Sequence, residues 1–239
     1  MNLREVIDEK KAYIETRTEN EVIIHPGPVL NSKAILDWDT WKKIGLPVIR
    51  HRHIDHEDDW VHILHELIHI ENFFIDGYWL VAHNNAAMED VDRIFKQIPE
   101  DYIAHKIIYG LGINPIDREF VIEDLLNIGL NDRDIGAKLV LYHTYLEFNR
   151  DLEGKYNIVR NQIQHSKPNV IELVQESLDV LDSIDVNNIN SHKVGVDRLI
   201  RIFTPEYYGH RIYSAYLRKC NGNLWDFYTK PNNDVSIWK

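Results

Sequence analysis

The sequence predicts an α+β fold that is predominantly helical. Residues 21–25 and 48–54 are β-prone, and in the second segment the side chains alternate with a period of two. Residues 60–76 are apolar around most of a helical circumference, which is typical of a buried helix. From residue 118 onward the pattern is almost wholly helical. We therefore expect a small N-terminal β-sheet next to the buried helix, followed by a helical C-terminal half.

The remaining elements are predicted from periodicity and from helix start and stop signals. Pro99 suits the first turn of a helix, and Gly110 and Gly112 suit its end. Residues 78–83 fit a short strand or the end of a helix. We expect one domain over residues 1–239, with a core at 1–115 that contains the sheet and the buried helix and a helical part at 116–239. The predicted helices are 2–17, 86–97, 100–111, 118–128, 132–153 (with continuation to 165 left open), 168–183, 192–203 and 205–219, with a brief segment at 35–44 and an irregular aromatic tail over the last twenty residues.

Composition and charge exclude several classes of protein. With 44% hydrophobic and 27% charged residues among 239, the chain resembles an ordinary globular protein. A net charge of −11 argues against a protein that binds nucleic acids or anionic membranes non-specifically. Cys220 is the only cysteine, so no intramolecular disulfide can form, and the N-terminus lacks an apolar signal segment. We expect a cytoplasmic protein of unspecified oligomeric state that binds neither nucleic acid nor membrane.

The predicted buried helix carries the pattern His-Glu-x-x-His at His65, Glu66 and His69. Residues four apart lie on the same face of a helix, so both imidazoles can bind one metal ion. Two histidines leave positions for a third protein ligand and a water, which is the arrangement that catalytic zinc requires, and Glu66 can take the proton of that water. With 13 histidines, a chance occurrence is on the order of one in twenty. Its position on the one polar stripe of a buried helix favours metal binding over a structural histidine pair.

This stretch resembles the zincin metallopeptidases, whose active-site helix carries the same motif. The resemblance implies a zincin-like fold, one zinc ion on His65 and His69, and Glu66 as general base. It also implies that the strand at 48–54 forms the rim along which a substrate lies extended. The metzincin group is excluded, because Asn72 and Ile75 replace the glycine and histidine of that group.

The third metal ligand is open between several residues. Glu89 has the spacing of the thermolysin-like group but lacks its companion aspartate, since position 93 is arginine. Glu100 is similar in placement to the carboxylate that a later helix returns to the metal in ImmA/IrrE-type intracellular zincins. His105 lies in an apolar helical segment and is the ligand that we favour, with Asp101 one turn earlier to orient its ring. Three residues could stabilise a transition state or pack in the core: Tyr109, His143 and His210.

These observations favour a zinc-dependent metallohydrolase, specifically an endopeptidase that cleaves a cytosolic polypeptide. Manganese or iron could also occupy such a site. Two alternatives stay open. The chain could be a non-peptidase metalloprotein, which hydrolyses another amide or serves as a catalytically silent binding module, or a helical partner-binding protein in which His65 and His69 are merely buried.

Overall fold

The structure is a computed structural model that describes residues 2–29, 33–54, 56–74, 80–83, 89–114, 121–149, 152–203, 212–220 and 224–231. Most of these residues are helical, so the predicted α+β class with predominant helix is confirmed. The helices are α1 (Leu3–Thr18), α2 (Trp38–Ile44), α3 (Val61–Phe74), α4 (Glu89–Gly110), α5 (Asp132–Glu147), α6 (Glu153–His165), α7 (Pro168–Asp182) and α8 (Ile189–Phe203). The strands are β1 (Ile23–Pro26), β2 (Ala34–Leu36), β3 (Val48–His51), β4 (Leu80–His83), β5 (Ile212–Cys220) and β6 (Leu224–Pro231).

The N-terminal sheet has the strand order β1-β3-β2. β3 lies in the middle, parallel to β1 and antiparallel to β2, so its main chain is hydrogen-bonded on both sides. This corrects the expectation that residues 48–54 form the rim for an extended substrate, because a central strand has no edge left to pair with another chain. The outer strand β2 lies against α3 instead.

The motif helix α3 is buried as its sequence predicts. A 3₁₀ turn at Glu57–Trp60 leads into α3. The three acidic side chains of this turn lie at the N-terminus of α3, where the helix dipole is positive. Five apolar residues on different sides of α3 have no exposed surface: Ile63, Leu64, Leu67, Ile68 and Ile70. An ion pair of 2.6 Å between Lys10 and Glu71 joins α3 to α1. Packing on all sides fixes the direction of the few polar side chains that α3 carries.

Helix α4 is continuous through Pro99, so the prediction of two separate helices at 86–97 and 100–111 is wrong. Proline inside a helix removes one backbone hydrogen bond, and packing on both sides of α4 compensates for that loss. Ala104 and Ile108 belong to the apolar cluster around α3. Tyr102 and Ile103 belong to a second cluster, built with α5, α7 and α8. Helix α4 therefore forms the boundary between the N-terminal core and the helical half.

The C-terminal half departs from the prediction at three places. Helix α5 ends at Glu147 rather than at 153, and only a 3₁₀ turn, Leu125–Asn127, lies in the described part of the helix predicted at 118–128. The helix predicted at 205–219 and the irregular tail are wrong where they are described, because β5 pairs there with β4, and β6 pairs with β5, both in antiparallel orientation. Both segments contain several aromatic or β-branched side chains, which favour strands.

Among the described residues, none of the helices combines the length and the apolar character needed to cross a membrane.

Candidate metal centre

Helix α3 directs His65 and His69 toward the same point, as expected for residues one helical turn apart. The two imidazole rings are perpendicular to each other, at 87°, with centroids 4.5 Å apart. Their Nε2 atoms lie 2.9 Å apart. Both rings are mostly buried, with 14% and 11% of the side-chain surface exposed. Two nitrogen atoms of the kind that bind zinc therefore meet at one place at the boundary of the core.

Asp101 of α4 completes a group of three possible ligands. Its Oδ1 atom lies 3.2 Å from Nε2 of His65 and 3.4 Å from Nε2 of His69. The ligand atoms of the three side chains all lie within 4.8 Å of one another, and it is the one such group in the part of the chain that the structure describes. The packing of α4 on α3 thus brings a carboxylate to the two imidazoles.

The spacing of these three atoms suits a small divalent cation. A circle through the two Nε2 atoms and Oδ1 has a radius of about 1.8 Å, shorter than zinc bonds to nitrogen or oxygen of about 2.0–2.1 Å, so one ion can bond to all three. Ligands of tetrahedral zinc are separated by about 3.3–3.4 Å, and the distances observed here are close to that value. Two histidines and one carboxylate are a known ligand set of catalytic zinc, which keeps a fourth position open.

The electrostatics of the three side chains are strongly coupled. Burial opposes the charge of Asp101, but the hydrogen bonds with His65 and His69 hold the pKa of its carboxyl well below the usual range. Burial likewise opposes the charge of His69, yet the carboxylates of Asp101 and Glu66 raise the pKa of His69 to about 9. At neutral pH the group therefore holds a proton on His69, and a metal ion that binds there must displace it.

Glu66, the proposed general base, projects toward the N-terminal sheet. Its Oε2 atom accepts a hydrogen bond of 3.1 Å from the backbone N–H of Leu36 in β2. Burial raises the pKa of Glu66 above its usual value, and the neighbouring charges of His69 and His65 oppose that rise. One carboxylate oxygen is thus anchored to the outer strand of the sheet, beside the histidine pair.

Comparison with protein-family models, with curated proteins and with solved structures gave no match. The metal site is therefore supported by the chemistry and spacing of its own side chains. The resemblance that His65, Glu66 and His69 carry to the zincins stays a prediction.

His105 lies next to this group but is not part of it. Its ring centroid is 5.1 Å from that of His65 and 5.0 Å from that of Tyr145, and only 3% of its surface is exposed. Burial, together with the charge of His65, lowers the pKa of His105 to about 3. Asp101, and not His105, is therefore the candidate third ligand in the structure, because its ligand atom lies close to both histidines.

The other candidates have different surroundings. Glu100 adds a negative charge that helps to raise the pKa of His69, but it is outside the group of three. Tyr109 packs on Phe148, with ring centroids 5.6 Å apart. His143 accepts a hydrogen bond of 2.9 Å from the hydroxyl of Tyr156 in its neutral form, and burial lowers the pKa of its ring to about 4. Two candidates lie outside what the structure describes: His210 as a whole, and the side chain of Glu89.

Sequence reasoning missed one residue of the centre, Tyr145 of α5. Its hydroxyl donates a hydrogen bond of 2.6 Å to Oδ2 of Asp101. Burial and the charge of Asp101 raise the pKa of Tyr145 well above its usual value, so the hydroxyl keeps its proton. Tyr145 follows Asp101 by 44 positions, and no local pattern connects the two residues. Only the packing of α5 on α4 reveals the contact.

Proposed function

We propose that this protein is a zinc-dependent metallohydrolase and that its substrate is a polypeptide. The observation that carries the proposal is the convergence of His65 and His69 of α3 with Asp101 of α4 on one point, beside Glu66 of α3. Zinc, when bound, supplies a Lewis acid that makes a water molecule more acidic and polarises the carbonyl group under attack. The same group of side chains could accept manganese or iron, and zinc is the proposal because two imidazoles and one carboxylate suit it.

The residues of this chain have distinct roles in the proposed reaction. His65, His69 and Asp101 would hold the ion, and three protein ligands would leave a fourth coordination position for water. Glu66 accepts the proton of the attacking water and returns it to the leaving amine. A buried carboxylate with a raised pKa suits this role, because a general base works best when its pKa is near the working pH. The hydrogen bond from Leu36 keeps the Glu66 carboxylate oriented.

The outer strand β2 supports a peptide as the substrate. Because β3 is central in the sheet, we assign the neighbourhood of the peptide to β2 and not to residues 48–54. Leu36 of β2 contacts Glu66 directly, so a chain that passes beside this strand would lie close to the proposed base.

The test combines metal analysis with digestion of a peptide library. We expect one zinc ion per chain and cleavage that Glu66→Gln abolishes while the metal stays bound. The matched control is Glu71→Gln, which changes a glutamate of the same helix that pairs with Lys10 and does not contact the metal group. It should cleave at the wild-type rate. Unchanged cleavage in Glu66→Gln, or a purified protein that binds no metal when zinc is supplied, would refute the proposal.

A further inference from the structure

The Asp101 carboxylate is held from two sides. Its Oδ1 atom faces the two imidazoles, at 3.2 and 3.4 Å. Its Oδ2 atom accepts the hydroxyl hydrogen of Tyr145 at 2.6 Å, a short distance that is typical of a hydroxyl bound to a charged carboxylate. The two oxygens therefore have different partners, and rotation of the carboxylate would break the bond with Tyr145.

Tyr145 itself is fixed by its surroundings. Its ring stands edge-on to the ring of His105, at 84° and 5.0 Å between centroids. His105 in turn packs against His65, and it is buried on the same helix as Asp101, one turn later. The rings of Tyr145, His105 and His65 form a row of edge-on and tilted contacts that ends in the metal group, so the hydroxyl of Tyr145 has little freedom to leave Asp101.

We infer that Tyr145 is a positioning residue of the metal centre, which presents Asp101 to the ion through Oδ1 alone. This inference rests on the metal site of the proposed function. With Oδ2 bound to the hydroxyl, Asp101 provides one ligand atom, and the ion has three protein ligands and an open position. Without the hydroxyl, both carboxylate oxygens can approach the ion and occupy that position. Groups that orient a ligand in this way typically affect metal affinity by about 10- to 100-fold.

The test uses Tyr145→Phe in the full chain, with Tyr102→Phe as the matched control. Tyr102 is buried, and its hydroxyl donates to the carboxylate of Asp182 at 2.9 Å, outside the metal group. Zinc affinity is measured by competition with a chelator, and the visible spectrum of the cobalt-substituted protein reports the coordination number. We expect Tyr145→Phe to bind zinc about 10- to 100-fold more weakly and to lose the intense bands of four-coordinate cobalt. Tyr102→Phe should match the wild type in both measurements.

A double-mutant cycle with Asp101→Asn separates positioning from a general effect on folding. If Tyr145 acts through Asp101, Tyr145→Phe should cause no further loss of zinc affinity once Asp101 is replaced. Wild-type affinity and spectrum in Tyr145→Phe, or equal losses in both backgrounds, would overturn the inference. These readouts do not depend on peptide cleavage. A protein that binds zinc as described but cleaves no peptide would refute the proposed function and leave the role of Tyr145 standing, whereas failure of the wild type to bind any metal would overturn both.

Discussion

Replacement of Asp101 tests the composition of the metal centre most directly. Asp101→Asn keeps the volume of the side chain and removes its charge, and an amide is a poor ligand for zinc. His105→Ala removes the histidine that the sequence favoured as the third ligand. Asp182→Asn is the matched control, because Asp182 also accepts a tyrosine hydroxyl, from Tyr102 at 2.9 Å, outside the metal group.

The expected magnitudes follow from the number of ligands. Structural zinc sites with four protein ligands bind with about 10–16 kcal/mol, or about 3 kcal/mol per ligand. The loss of one ligand among three should therefore weaken zinc binding by roughly 100-fold or more. His105 contacts the group through ring packing and not through a ligand atom, so its removal should cost about tenfold at most.

Zinc affinity of the four proteins is measured by competition with a chromophoric chelator at fixed pH. Circular dichroism and thermal melting of the metal-free proteins establish that each variant is folded. We expect the order of affinity to be wild type equal to Asp182→Asn, then His105→Ala, and Asp101→Asn far below. The opposite result, with His105→Ala unable to bind zinc and Asp101→Asn close to the wild type, would refute the assignment and restore His105 as the ligand.

Three further predictions concern protons and packing. Because the carboxylates around it raise the pKa of His69 to about 9, zinc affinity should increase about tenfold per pH unit between pH 6 and 8 and level off above pH 9. Calorimetry in two buffers should show about one proton released per zinc at pH 7, and a pH-independent affinity would contradict this. Burial lowers the pKa of His143 from 6.5 to about 4 in the folded protein. As the pH falls, His143 is therefore protonated in the unfolded chain before it is protonated in the folded protein, and the unfolded chain is favoured. Between pH 7 and 5 the wild type should lose about 2 kcal/mol more unfolding free energy than His143→Phe, as measured with urea; equal losses would contradict it. A Cβ atom at Gly195 would lie 2.7 Å from Cγ1 of Ile184, so Gly195→Ala should destabilise the fold by about 1–2 kcal/mol. The control is Gly154→Ala in α6, where a Cβ atom meets open space, and this change should stabilise the fold slightly. A Gly195→Ala protein that melts no lower than the wild type would refute the packing argument.

The sequence predicted those elements that depend on local patterns. Helix α3 follows from its apolar periodicity and its acidic start, and the motif places His65 and His69 on one face because helix geometry is local. Strands β1 and β3 follow from short β-prone runs, the second of which also alternates with a period of two. These features need no knowledge of distant parts of the chain.

The missed elements have two different causes. The pair Asn221-Gly222 between two segments with several aromatic or β-branched side chains is a hairpin signal, so β5 and β6 could have been predicted from the sequence. Pro99 predicts a helix start because proline usually interrupts a helix interior, and here tertiary packing overrides that preference. The hairpin is thus encoded in a local pattern. The continuity of α4 depends instead on the balance between the local preference of proline and tertiary packing, which the sequence alone does not decide.

The identity of the candidate third ligand also depends on tertiary packing, which the sequence alone does not decide. Asp101 and His105 are four residues apart and share one face of α4, so periodicity puts both near α3. Which of them reaches the histidines depends on where the two helices cross, and that depends on the two apolar clusters that enclose α4. Tyr145 comes from a third helix, and its contact with Asp101 depends on the same packing.

Charge balance gives an independent reason for Asp101. A divalent ion is costly to bury unless negative groups compensate its charge. With neutral His65 and His69 and ionised Asp101 and Glu66, the occupied centre would carry no net charge. Asp101→Asn therefore removes both a ligand and the compensating charge, and His105→Ala removes neither. The difference in zinc affinity between the two variants should accordingly exceed what ligand number alone predicts.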